Sequence, residues 1–148
     1  MTKFSNKESI LVKAKRKTNN EWITGYIVPV CDKMYVLSEK DMIDNNSLVI
    51  NRENEVDENT ICRFTGKFTI TGEPVWEYDK VVYHFNKDVV GIVRFGCYEN
   101  VIPNVMRIGE YHCGFYVEWP TRPELRKDLG YWFGTDGMET AVAGNLYD

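Results

Sequence analysis

From Ile10 onward the chain alternates between apolar and polar positions in short bursts. In "ILVKAKRKTNNEWITGYIV", Val12, Ala14 and Arg16 fall on one side and Lys13, Lys15 and Lys17 on the other. The run breaks at Thr18, Asn19 and Asn20 and resumes from Trp22 to Val28, the pattern of a β-hairpin. "KMYVLSE" and "SLVIN" read as further strands, with "EKDMIDNN" between them as a loop or a single helical turn. Val81, Tyr83 and Phe85 alternate with Val82 and His84, and "NKD" forms a short loop. Val89, Val93 and Phe95 share a face around Gly91, and Phe115, Val117 and Trp119 alternate with Tyr116 and Glu118. Val101 to Glu110, broken by Pro103 and Gly109, reads as an irregular connector. Strands this short and closely spaced predict a mainly β fold, with a small barrel or sandwich in the C-terminal part.

One segment has helical spacing. In "TRPELRKDLG", Thr121 stands three residues before Glu124, Pro123 falls in the first turn, and Leu125 and Leu129 are four apart. A short helix over about 122–129, capped by Thr121 and ended by Gly130, is expected. The acidic stretch "NRENEVDEN" is poor in apolar residues and sets the expected boundary between an N-terminal β subdomain, 1–55, and a C-terminal one, 56–148.

Composition adds an ordered core, since 43% of residues are hydrophobic and 14% aromatic. No apolar run is long enough to span a bilayer, and the first residues lack the pattern of a secretory signal. A cytoplasmic protein without a membrane anchor is expected. Four cysteines, Cys31, Cys62, Cys97 and Cys113, show no C-x-x-C pair, so reduced thiols are expected, with neither metal nor cofactor. His112 and Cys113 would point to opposite strand faces, which works against a shared site with His84 and Cys97.

The formal charge of -4 is uneven, because the lysines and Arg16 of residues 1 to 17 face only Glu8. Lys13, Lys15 and Lys17 read as guards on an edge strand. Their opposition to the acidic segment Glu53 to Glu58 suggests a self-complementary contact, hence a homo-oligomer.

The stretch "FTGKFTITGEPVWEYDKVVYHF" concentrates aromatic and acidic groups beside turn chemistry. Gly66, Gly72 and the later Gly144-Asn145 read as structural corners. Trp76, Tyr78, Asp79, Tyr98, Trp119 and Trp132 are the candidate binding residues. Catalysis is not expected: there is no nucleophile elbow, zincin helix or phosphate loop, and Glu77 and Asp79 read as turn acids. Tyr98, Tyr111, Tyr116, Trp119, Tyr131 and Trp132, with Arg94, Arg107, Arg122, Arg126 and Lys127, could serve single-stranded nucleic acid. The acidic balance works against that.

The order "VDENTICRFTG", "WEYDKVVYHF", "GIVRF", "GFYVEW" and "AVAGNLYD" resembles the YopX family of small phage and prophage proteins. Where family members read Glu-Gly-Asp, this chain has Glu77-Tyr78-Asp79. The resemblance implies a mostly β fold whose C-terminal part is similar to SH3 barrels, and supplies no established activity. It implies a phage accessory protein, expected to be a non-enzymatic binding module acting on a host or phage protein. The alternatives are a small-nucleotide-binding protein that blunts a host defence, or a single-stranded nucleic-acid-binding barrel.

Overall fold

The computed structural model describes residues 11–38, 41–44, 47–48, 50–83, 85–99, 111–133 and 140–148. His84, Arg107 and the connector Val101 to Glu110 lie outside them. The chain is mainly β and divides into two compact units, Met1–Phe64 and Thr65–Asp148.

The first unit is built on the predicted hairpin. Strand β1 (Val12–Lys15) pairs antiparallel with β2 (Trp22–Val30) through a turn where Asn20 takes φ +61°, a conformation asparagine tolerates. β2 then pairs with β3 (Lys33–Leu37). On its other side β1 pairs with the start of β6 (Cys62–Phe68), Lys13 facing Cys62. β1 is therefore a central strand, and the edge-guard reading of its lysines is corrected. The Lys13 and Lys15 ammonium groups lie 4.3 and 5.3 Å from the Trp22 ring centroid, and Lys17 pairs with Glu55 at 2.9 Å. The basic strand thus meets its acidic counterpart inside one copy.

Val12, Ala14, Ile23, Val36 and Val56 form the core of this unit. Val56 comes from the acidic stretch, which folds as two 3-10 turns, Arg52–Asn54 and Glu58–Thr60. Asn51 and Asp57 cap these turns by accepting the Glu53 and Asn59 N–H groups. The stretch is sewn to the hairpin: Val56 N–H donates to Met34 O, Asp57 N–H to Lys15 O, and Lys15 N–H to Thr60 Oγ1. The boundary between the two compact units accordingly falls at Phe64/Thr65, inside β6. The stretch read as a loop or helical turn instead carries β4 (Met42–Asp44), paired with β5 (Ser47–Leu48).

In the second unit the later half of β6 is followed by β7 (Pro74–Trp76), with the Thr65 hydroxyl donating to Val75 O at 2.7 Å. A five-stranded antiparallel sheet has the order β11-β10-β9-β8-β12. Its members are β8 (Asp79–Val82), β9 (Val90–Glu99), β10 (Tyr111–Glu118), β11 (Lys127–Asp128) and β12 (Ala141–Asn145). This sheet has two ends, so the described residues form an open sheet and not a closed SH3-like barrel. Val75, Val81, Val93, Val117, Trp119, Leu129 and Trp132 are its buried core. Gly91 makes room for two of them: a β carbon there would lie 2.5 Å from Val117 Cγ1 and 2.8 Å from the Trp119 ring.

The predicted helix is also corrected. Residues Pro123–Leu125 make one 3-10 turn without a side-chain cap, and the α-helix is Leu129–Phe133, so Gly130 lies inside it. Between them the chain is drawn straight by pairing with β10, Val117 facing Lys127 and Tyr116 facing Asp128. Arg126 anchors that segment, donating through Nε to Glu99 O at 3.0 Å and lying 3.6 Å from Glu118. Tertiary pairing outweighs the propensity of a short helix. Among the described residues no helix is long and apolar enough to cross a membrane.

Candidate functional site

β9 and β10 form a ribbon in continuous register from Ile92/Glu118 to Glu99/Tyr111. Alternation puts Val93, Phe95 and Cys97 on one face and Arg94, Gly96 and Tyr98 on the other. At the root of the ribbon the first face is inside, with Val93 and Val117 fully buried. Further along, Phe95 is 48% exposed, whereas Tyr98 on the other face is buried. The buried side changes along the ribbon, as the twist of a long two-stranded ribbon allows.

The register pair Gly96/Gly114 sits at the changeover, and a β carbon on either glycine would meet nothing within 4 Å. Aromatic rings from both strands gather near this pair. Tyr98 and Tyr116 stack across it at 4.5 Å and 24°, and His112 stacks on Tyr98 at 5.6 Å and 29°. Beside these rings opens a cavity of about 470 Å³, reached by Thr65 and Lys67 of β6, His112 of β10 and Asp128 of β11. Burial, and then the Asp128 carboxylate, push the Tyr98 phenol above its ordinary pKa. Tyr98 therefore stays a neutral donor at physiological pH.

The outer face past the changeover is aromatic and cross-linked. Phe95 and Phe115 are register partners with ring centroids 4.9 Å apart, and Tyr111 is 74% exposed. Between them Cys97 and Cys113 are joined in a disulfide, which corrects the expectation of four reduced thiols. The cause is register: the two residues face one another across the antiparallel pair with α carbons 4.1 Å apart. Cys62 is a buried free thiol and Cys31 an exposed one. No group of three or more His, Cys, Asp or Glu that could hold a metal occurs among the described residues.

The other candidate residues are structural in their surroundings. Trp119 and Trp132 lie inside the core, rings 5.0 Å apart and both in edge contact with Tyr83. Trp76 is buried, and its N–H donates to Asp79 Oδ2 at 2.8 Å. Asp79 Oδ1 accepts from Asn145 Nδ2 at 2.9 Å, and the same amide reaches Glu77 O. Tyr78 takes φ +68° between them, with Tyr147 edge-on at 5.4 Å and the Arg94 guanidinium 5.6 Å over its ring. Gly66 and Gly72 have positive φ at the entrance to this corner, and Gly144 has it beside Asn145. The 64–80 stretch is thus a corner locked by the last strand. Only Tyr98, of the six binding candidates, lines the cavity on the ribbon. Alternation marks neither Phe95 nor the cystine for a site, and Tyr111 only as a nucleic-acid candidate, because exposure here depends on where the ribbon twists.

No family model, curated protein or solved structure matches this chain.

Proposed function

We propose that this chain is a non-enzymatic binding module acting on a host or phage protein through the outer face of the β9–β10 ribbon. The observation that carries this reading is the aromatic strip on that face, Phe95, Phe115 and Tyr111, pinned by the Cys97–Cys113 bridge. Large apolar side chains held at low conformational cost are what anchor protein contacts. The reading keeps the phage accessory role implied by the YopX likeness, which the order of its motifs supports. The left-handed turn at Tyr78 adds to that support, since family members place glycine there. Capture from a bacterial host lysate tests the proposal. A partner should be retained by the parent chain and lost by Phe95→Ser/Tyr111→Ser at unchanged melting temperature; equal capture by both would sink it.

The cavity favours a second reading, capture of a small ligand beside Tyr98. A nucleotide would find one cation there, Lys67, with Arg94 over Tyr78 and Arg126 on Glu99 O and Glu118. The Tyr98 ring already stacks with Tyr116 and His112, contacts with which a base would have to compete. A melting-temperature screen with mono- and dinucleotides separates the readings: stabilisation lost in Lys67→Ala would favour the ligand.

A further inference from the structure

The two five-stranded sheets end in β3, β7, β11 and β12. Exposed strand edges recruit other strands unless something prevents it. β3 is bridged at Tyr35 by Glu55 and receives the Val56 N–H at Met34 O. β7 opens with Pro74 after Glu73, and β11 is the charged pair Lys127–Asp128. β12, Ala-Val-Ala-Gly-Asn, has neither charge nor proline. Its register irregularity lies between Val142 and Asn145, which leaves Thr140–Val142 ahead of it with β8 on one side only among the described strands.

A cleft of about 290 Å³ opens there, between Thr140–Val142 and the turn Thr69–Glu73. The turn is firmly made: Thr69 N–H donates to Glu73 O at 2.7 Å, and Thr69 Oγ1 accepts the Glu73 N–H and meets Thr71 Oγ1 at 3.0 Å. It holds Ile70 74% exposed at the rim. On the opposite wall Thr140 is only 3% exposed, yet its hydroxyl has no hydrogen-bond partner among the described residues. Buried polar groups left unpaired are uncommon and costly.

We infer that this cleft takes an extended peptide segment of a partner protein by strand addition along Thr140–Val142. The segment places an apolar side chain against Ile70 and Val142, a polar group on Thr140 Oγ1, and a basic side chain beside the exposed Glu73. An acidic segment is disfavoured by Glu73 and by the net charge of -4. The inference rests on the binding-module reading but uses a surface other than the ribbon.

The test is a display library of random decapeptides panned on the full chain. Enrichment of alternating β-branched sequences with Lys or Arg is expected, and Glu73→Lys should shift the selected charge to Asp or Glu. Thr140→Val should raise the melting temperature of the free protein, because it removes an orphaned hydroxyl, while weakening selected peptides about tenfold. Ala141→Lys, at an exposed position, should weaken them similarly without unfolding the chain. Phe95→Ser/Tyr111→Ser should leave them bound, so a failed ribbon and a failed cleft are distinguishable. No enrichment, or peptides indifferent to both cleft variants, would overturn the inference. So would self-association of the parent chain that Ala141→Lys abolishes, since a second copy would then occupy the edge.

Discussion

Tyr78 holds a backbone conformation that an L-residue reaches at a cost of about 1–2 kcal/mol. It is kept there by hydrogen bonds on both sides, its N–H to Val93 O and its carbonyl from the Leu146 N–H. Replacing it by alanine and by glycine separates backbone from ring, because both variants lose the contacts with Tyr147 and Arg94 equally. Tyr78→Gly should be more stable than Tyr78→Ala by about 1 kcal/mol in urea denaturation; the reverse order would show that the turn is unstrained. Asn145 is the partner that closes this corner. Asn145→Ala leaves the Asp79 carboxylate and Glu77 carbonyl short of a donor and should cost about 2–3 kcal/mol in the same assay. The sequence marked Asp79 and Asn145 as turn formers through their local chemistry. That they bond each other across 66 positions is a tertiary fact with no local signature.

The ribbon is the element whose properties most exceed its sequence pattern. Its cystine closes a loop between residues 16 apart, so Cys97→Ser/Cys113→Ser should lower stability by about 3 kcal/mol under oxidising conditions. Reduction of the parent should reproduce most of that loss in a melting experiment; no change on reduction would leave the bridge without a structural role. At the hairpin the acidic stretch offers a pH test. The Lys17 ammonium, by hydrogen bond and then by charge against the opposing effect of burial, holds the Glu55 carboxyl below its ordinary value. Its contribution is therefore present above the ordinary carboxylate range and lost as the pH falls through the depressed value. The stability gap between parent and Glu55→Gln should narrow on acidification, and also in high salt, because Lys17 is exposed. Alternation was enough to read β1, β2, β3, β8, β9 and β10, each with branched or aromatic residues on one face. It was silent on β11 and β12, whose Lys-Asp and Ala-Val-Ala-Gly-Asn become strands only through the neighbours they pair with.

At the scale of the whole molecule the described residues form two buried cores, one in each unit. Val36→Ala, at a site 1% exposed, should raise hydrogen-exchange rates within 11–64 more than within 65–148. Uniform acceleration of both would mean that the units unfold as one. The boundary inside β6 has a consequence for the order in which the chain is made. β1 finds β2 and the first residues of β6, and β2 finds β3, all within the first 64 residues, so the hairpin part of that sheet can form as soon as Phe64 has left the ribosome, with β7 joining its far edge later. The second unit must wait: β8 remains without its β12 neighbour, and Asp79 without Asn145, until some sixty more residues have been synthesised. During that interval the nascent chain would carry a finished hairpin unit followed by an unguarded strand edge. That is the stretch of synthesis in which a chaperone would matter to this protein.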